Sequence, residues 1–589
     1  LTGITKDAVT DNAAFRYRVV TGYVPSIMRF TDRPNINRDM FLLTNDVITL
    51  SAKVQEDGSL FPEYPDNSGV PTNVEYLADW EGRTGVMDFQ GTGSQLVAAV
   101  GGIPFNPTSE SGAGPGQTAT IEGWIYIDEW IEGAEIFSNY KDAANCVTIK
   151  LGSETDKSII ADLNGTTVTA KNSIETGKWQ YLAVYFTPAK GKPGDFLFSP
   201  ASMKVGELDG DTFTATEYSV LYANLEIGGN EMTITNVPVI NDGTLAIGKN
   251  FDGKMDELMV WSANRSSQIE SDATQPYEWN IGSWNNIFLN AYWKGDDPEN
   301  VGKDSQSLGG VVDIMRGYYD NYQGAKIRLG IISSLDNSGW LNVLNNESNL
   351  DNFIRDAKEL VKDFDGLDVD LEWMYSTSQW NIYNNIISRL INEVMADYPE
   401  KVFSCSLHEV SYNGFDKSLL PGVDYFTFQQ YGPNFNPTYD RYAGYVDAFI
   451  SYGFGNERIE PSYSALSRPG NTNGNEGYKD LFEKYGYTED QFDPDKNEWT
   501  NGGITYYFDG VNQVKKKAQY AVDKDLRGIM YFDMANDLKI NDYRSLIRAQ
   551  NEVMAANVDT VMTVINMTPS GVRPIAARTG EELFTAVQD

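Results

Sequence analysis

The sequence predicts an α/β protein: a parallel TIM-type (β/α)8 barrel interrupted after its second strand by an all-β domain. Three observations carry this. From about residue 306 to 556, strand-length apolar runs alternate with helical runs, the pattern of a parallel sheet with helices outside it. Residues 63–305 carry short alternating strands separated by turns rich in Gly, Thr, Asn and Ser, as in a β-sandwich. The downstream stretch supplies only six strands, so the first two must come from residues 1–62. The rival arrangement is tandem order, with residues 1–62 as a separate small domain. Residues 557–589 form a tail with one apolar run, DTVMTVINM.

The chain has 589 residues, too many for one core. Its 46 basic and 83 acidic residues leave a net charge of −37, which argues against nucleic acid and anionic membranes as partners. That charge suits a neutral ligand and a secreted or surface-displayed protein, lipid-anchored or free. No run of 18 apolar residues occurs, so no membrane span is expected. The start at Leu1 rather than Met reads as a removed signal or a trimmed chain. A single histidine, His408, leaves little for a serine triad or a zinc site. Cys146 and Cys405 suggest neither a disulfide nor a metal site, and Cys405, in the apolar run VFSCSL, reads as a core residue. No cofactor and no metal are expected, Ca²⁺ in the acidic sandwich being the weaker alternative. A monomer is expected.

The strands follow in order. Phe15–Ser26 and Asp46–Leu60 are the first two. Within 63–305, TIEGWIYI, WQYLAVYF and TLAIGKNFDGKMDELMVWSA alternate like sandwich strands. Val311–Tyr322 reads as a helix and Lys326–Leu335 as the third barrel strand. The helical spacing of Asp351–Phe364 leads into the fourth, FDGLDVDLEW. Asn381–Tyr398 is a helix stopped by Pro399. Val402–Val410, Val423–Tyr431, Arg458–Ala465 and Leu526–Asp537 are strands five to eight. A Gly/Asn-rich loop and a helix at Val511–Asp523 separate the last two, and a helix at Tyr543–Ala555 follows.

The fourth strand holds the candidate chemistry. Alternate side chains share a face, so Asp368, Asp370 and Glu372 point one way and Leu367, Val369 and Leu371 the other. Three acids on a buried strand are costly without partners or retained protons. A chain tolerates them mainly where an acid works. The bland alternatives are a solvent-facing strand or a Ca²⁺ loop, and the apolar opposite face argues against both.

DGLDVDLE resembles the DGxDxDxE signature of glycoside hydrolase family 18. Leu371, where chitinases usually carry Trp, and the following Trp373-Met374 make it more similar to the endo-β-N-acetylglucosaminidase branch. Gly22-Tyr23 and Asp57-Gly58-Ser59-Leu60 resemble features of the first two barrel strands of that family. The run Ile247, Gly248, Phe251, Gly253, Asp256, Glu257 and Trp261 resembles the laminin G/concanavalin-like jelly roll, as does Leu289–Gln306.

The resemblance implies that Glu372 is the general acid/base, that Asp370 orients the substrate acetamido group and that Asp368 supports Asp370. Gln429 and Tyr431, two apart at the end of strand six, would hold that acetamido group. Tyr23 would line the sugar site, against core packing as its equally weighted bland reading, Trp373 would line it too, and Phe532 would replace the family's floor tryptophan. His408 would touch substrate at the mouth, against a structural histidine as its bland reading. Met530, Trp380 and Tyr412 read more readily as packing. The reaction implied is hydrolysis of the GlcNAc-β1,4-GlcNAc core of an N-glycan or glycoprotein, high-mannose by guess. It would proceed with retention through an oxazolinium ion. A chitinase and a non-catalytic lectin are the alternatives.

Overall fold

The computed structural model describes residues 19–24, 41, 43–62, 66–98, 119–143, 145–163, 166–186, 190–191, 201–219, 232–233, 243–275, 288–319, 325–333, 339–431, 438–471, 474–556, 562–568 and 571–577. The chain divides into two compact units, residues 1–63 with 312–589, and residues 64–311.

In the first unit, eight strands run parallel: β1 (Val19–Val24), β2 (Asp46–Val54), β3 (Lys326–Ser333), β4 (Gly366–Asp370), β5 (Val402–His408), β6 (Tyr425–Gln429), β7 (Ile459–Ser464) and β8 (Gly528–Phe532). Each pairs with its successor, β2 with β3 included although some 270 residues of chain separate them. β1 pairs with both β2 and β8, which closes the ring into a TIM-type barrel. The strand-length apolar runs of the sequence thus become its walls.

Helices follow the strands: α1 (Glu347–Leu360), α2 (Thr377–Arg389), α3 (Tyr439–Tyr452), α4 (Val511–Asp523) and α5 (Leu546–Ala556). Their starts are written locally. The Asn346 side chain accepts from the Asn349 amide, Thr438 accepts from Arg441, and Ser376 forms a capping box with Gln379. Past Arg389 the helix loosens into a π turn at Leu390–Val394 before Pro399.

The stretch read as a Gly/Asn-rich loop between β7 and α4 is instead a small antiparallel sheet. Its strands are Leu466–Pro469, Glu476–Gly477, Glu498–Asn501 and Ile504–Phe508, with a helix at Tyr478–Glu483. Clustered rings hold it together, including Tyr487 stacked on Trp499 with centroids 4.9 Å apart. In the tail, the backbone forms a hairpin of Met562–Thr568 with Gly571–Ala577.

The second unit is built on two antiparallel sheets of seven and eight strands, with a separate two-stranded pair, Lys190–Gly191 with Met232–Thr233. Their inner faces contribute to one apolar cluster, with Phe137, Val147 and Ile149 from one sheet and Met87, Ile125 and Met255 from the other. The chain passes between the sheets at Thr244–Lys249 and Asp252–Trp261. Gly248 sits in this turn at φ 66°, and a Cβ there would stand 2.1 Å from the Phe89 ring, so both conformation and space demand glycine. Cys146 and Cys405 are both buried. No described helix is long and apolar enough to cross a membrane.

Candidate active site

Alternation along the strands aims one set of side chains into the barrel. In most such barrels that interior is filled by Val, Ile and Leu. Here its N-terminal end is polar. Arg328 of β3 is fully buried and donates from Nε and a terminal nitrogen to both oxygens of Asp46 on β2, at 2.8 and 2.7 Å. Tyr425 of β6 also donates to Asp46. Thr21 of β1 reaches Asp46 at 3.1 Å and Glu460 of β7 at 2.9 Å.

Asp368 stands one layer up. Ser404 of β5 donates to one of its oxygens, and Ser406 donates to the other at 2.9 Å. Arg328 donates to Ser404 and lies 3.8 Å from the Asp368 carboxylate. Burial lifts the Asp368 pKa above the usual carboxylate range, against the pull of Arg328 and the two serines. Glu460 is pushed up to about 8 by burial, then by the charge of Asp46.

At the C-terminal mouth, Asp370 is buried and accepts from Gln429 Nε2 at 2.9 Å. Glu372 follows the strand and is half-buried. Its main-chain carbonyl accepts from the indole of Trp340, in a helix at Gly339–Leu344, at 2.6 Å. The peptide Glu372–Trp373 is cis, as is Phe532–Asp533. Tyr431, just past β6, stacks its ring on Phe532 with centroids 5.0 Å apart. Burial, then the charges of Asp370 and Glu372, hold its hydroxyl well above the ordinary phenol range, so it keeps its proton and can donate.

Trp373 meets the His408 ring edge to face, centroids 4.5 Å apart. His408 is only 1% exposed, with Nδ1 accepting from the Val410 amide at 3.2 Å. Burial, then Arg441, push its pKa down to about 4, so the ring is neutral and its proton belongs on Nε2. Its ring packs against Trp373. Tyr375, three residues past Glu372, is 66% exposed, with its amide donating to Gln379 at 2.8 Å.

Asp368, Asp370, Glu372, Trp373, Gln429, Tyr431, His408 and Phe532 therefore lie on or just past β4, β5, β6 and β8. The backbone of Tyr23 belongs to β1, while its side chain lies outside the described residues. Trp380 is buried beneath Gly414, and Tyr412 packs against Phe449, Tyr452 and Phe454. Met530 is core, beside Ile48. Arg328, Asp46, Glu460, Trp340 and Tyr375 were not singled out from sequence. A lone charge inside an apolar run, as in KIRLGII, was the available signal for Arg328, whereas nothing local marks Trp340. Among the described residues no group of three or more His, Cys, Asp or Glu could hold a metal ion.

No family model matches the chain, and no curated protein matches it. Among solved structures, the chain is similar to the GH18 chitinase ChiB from the chitin utilization locus of Flavobacterium johnsoniae. The match has 17% identity over 42% of this chain and 80% of that one, with a TM-score of 0.35. It is also similar to a chitinase from Bacteroides thetaiotaomicron, at 14% identity over 43% and 83%, with a TM-score of 0.36. A class V chitinase from Nicotiana tobaccum matches at 16% identity over 44% and 86%, with a TM-score of 0.37.

Proposed function

We propose that the chain is a retaining glycoside hydrolase of the family 18 kind, acting as an endo-β-N-acetylglucosaminidase on the chitobiose core of N-glycans. The observation that carries this is the 2.9 Å bond from Gln429 to Asp370, made at the barrel mouth two residues from Glu372. It fixes a carboxylate beside an acid, with the proton-bearing hydroxyl of Tyr431 among the same charges.

In this reading the 2-acetamido oxygen of the bound sugar attacks C1 while Glu372 gives its proton to the departing glycosidic oxygen. A cyclic oxazolinium forms and the first product leaves. Asp370, aligned by Gln429, accepts the acetamido N–H and stabilises the developing positive charge. Tyr431 donates to the acetamido oxygen and holds it in line. Glu372, now ionised, takes a proton from water as that water opens the oxazolinium at C1, and the configuration is retained. The stacked Tyr431 and Phe532 rings, with Trp373, offer apolar faces for the sugar ring.

The test is mass spectrometry of a high-mannose glycoprotein incubated with the wild type and with Glu372→Gln. The wild type is expected to leave one GlcNAc on each asparagine. Glu372→Gln should slow this by roughly 10²–10⁴-fold, the usual contribution of a positioned acid. If the glycoprotein is untouched while chito-oligosaccharides are cut, the chain is a chitinase. If both are bound and neither is cut, it is a lectin.

A further inference from the structure

The barrel interior holds charges that the proposed reaction does not use. Arg328, Asp46 and Glu460 are all buried, on β3, β2 and β7. Their positions place them below the candidate acids, out of reach of any substrate, yet Arg328 touches the same Ser404 that donates to Asp368.

We propose that Arg328 is a positioning residue that keeps Asp368 ionised and oriented beneath Asp370, and that Asp46 sets how much of the Arg328 charge reaches it. The inference rests on the proposed reading of Asp368 as the support of Asp370. Geometry gives the division of labour. Two Arg328 nitrogens are committed to Asp46 at 2.8 and 2.7 Å. The third donates to Ser404 and stands 3.8 Å from Asp368. One guanidinium therefore serves two carboxylates, the nearer by paired bonds and the farther through space and a shared serine hydroxyl.

The titratable and polar groups around Asp368 come from several elements. Asp370 lies on its own strand. β3 brings Arg328 and β2 brings Asp46. β5 brings Ser404, Ser406 and the Cys405 thiol, and α2 brings Tyr383. β6 brings Tyr425, Thr427 and Tyr431. Glu460 of β7 meets the network through Thr21 and the Arg328–Asp46 pair. Burial pushes Cys405, Tyr383, Tyr425 and Tyr431 upward, so all four stay neutral in the working range. Glu460, held at about 8, is neutral below that pH. Arg328 thus acts on Asp368 as a cation that favours its ionised form, and Asp46 opposes it.

Substitution at the two ends of the pair must act with opposite sign. Arg328→Gln removes the cation, so Asp368 takes up its proton at higher pH and the acid limb of kcat/KM moves up, by about one pH unit for an opposite charge at this range. Asp46→Asn removes the competing anion, so the acid limb moves down. Glu460→Gln changes no charge below pH 8 and leaves the acid limb in place.

The deciding measurement is the pH profile of kcat/KM for these three variants, paired with infrared titration of the protonated-carboxyl band that Asp368→Asn abolishes. The infrared titration needs no substrate. Its midpoint should rise in Arg328→Gln and fall in Asp46→Asn, even if the glycoprotein proves not to be the substrate. Should Arg328→Gln fail to fold, Asp46→Asn alone decides by the downward shift. Lower melting temperatures with an unmoved Asp368 midpoint would overturn the proposal and leave the pair as mere scaffolding. An infrared shift as stated without cleavage of any glycan would retain the Arg328 assignment and sink the hydrolase reading.

Discussion

A single hydrogen bond shows what one side chain is worth at the mouth of this barrel. Gln429 gives Asp370 a charge-assisted contact, a class worth about 1.5–3 kcal/mol. Gln429→Ala is therefore expected to lower kcat/KM roughly 10- to 100-fold, since each 1.36 kcal/mol is tenfold. Steady-state kinetics on a defined glycopeptide would check it, and wild-type kinetics in that variant would remove Gln429 from the machinery. Arg328 teaches the complementary lesson. Its charge is buried with its partner, and deleting one member of such a pair costs about 3–5 kcal/mol, so its variants need a readout beyond activity.

At the scale of the element, β4 is held from both sides. Asp365 accepts from the Ile327 amide of β3 at 2.9 Å, and its own carbonyl accepts from Val402 of β5 at 2.9 Å. Gly366 opens the strand with no room to spare. A Cβ there would stand 2.1 Å from the Val402 carbonyl oxygen, an atom of the neighbouring backbone. Gly366→Ala must push β4 away from β5, and overpacking of this kind costs about 1–3 kcal/mol. Calorimetry should show a lower melting temperature, and kcat should fall as well, because Asp368 and Asp370 ride on the displaced strand. A lowered melting temperature with unchanged kcat would mean that the strand recovers its register above Gly366.

Across the whole molecule, buried acids set the response to pH. Burial raises Glu122 and Glu460 to about 8, Asp256 and Asp304 to about 7 and Asp537 to about 6. Each is an acid whose folded pKa exceeds its unfolded one, so the folded state binds more protons over the interval between them. The stability they contribute is complete below the unfolded carboxylate range and is lost as pH rises through 6 to 8. His408, lowered to about 4, acts in the opposite sense between about 4 and its unfolded value near 6.5. Further buried acids, Asp368 and Glu409 among them, are raised in the same direction, so the melting temperature is expected to fall from pH 5.5 to pH 8.5. A scan that rises across this window would show that these carboxyls ionise freely in the folded protein.

What the sequence determined by itself was local. Short, largely apolar runs bounded by turns mark the barrel strands, because a parallel strand covered on both faces must be apolar along most of its length. Three acids interrupting one such run mark β4, since no packing reason puts them there. The interlude between β7 and α4 was misread, because its strands are two to five residues long and its Gly and Asn content is that of turns. Only the tertiary structure decided which polar residues meet. Arg328 and Asp46 stand 282 positions apart, and Thr21 and Glu460 439 apart. Each is a polar residue in a buried barrel strand, and nothing local names its partner. Strand pairing between neighbours is written in alternation, but closure of the ring is not. It is closure that turns isolated buried charges into one network beneath Asp368.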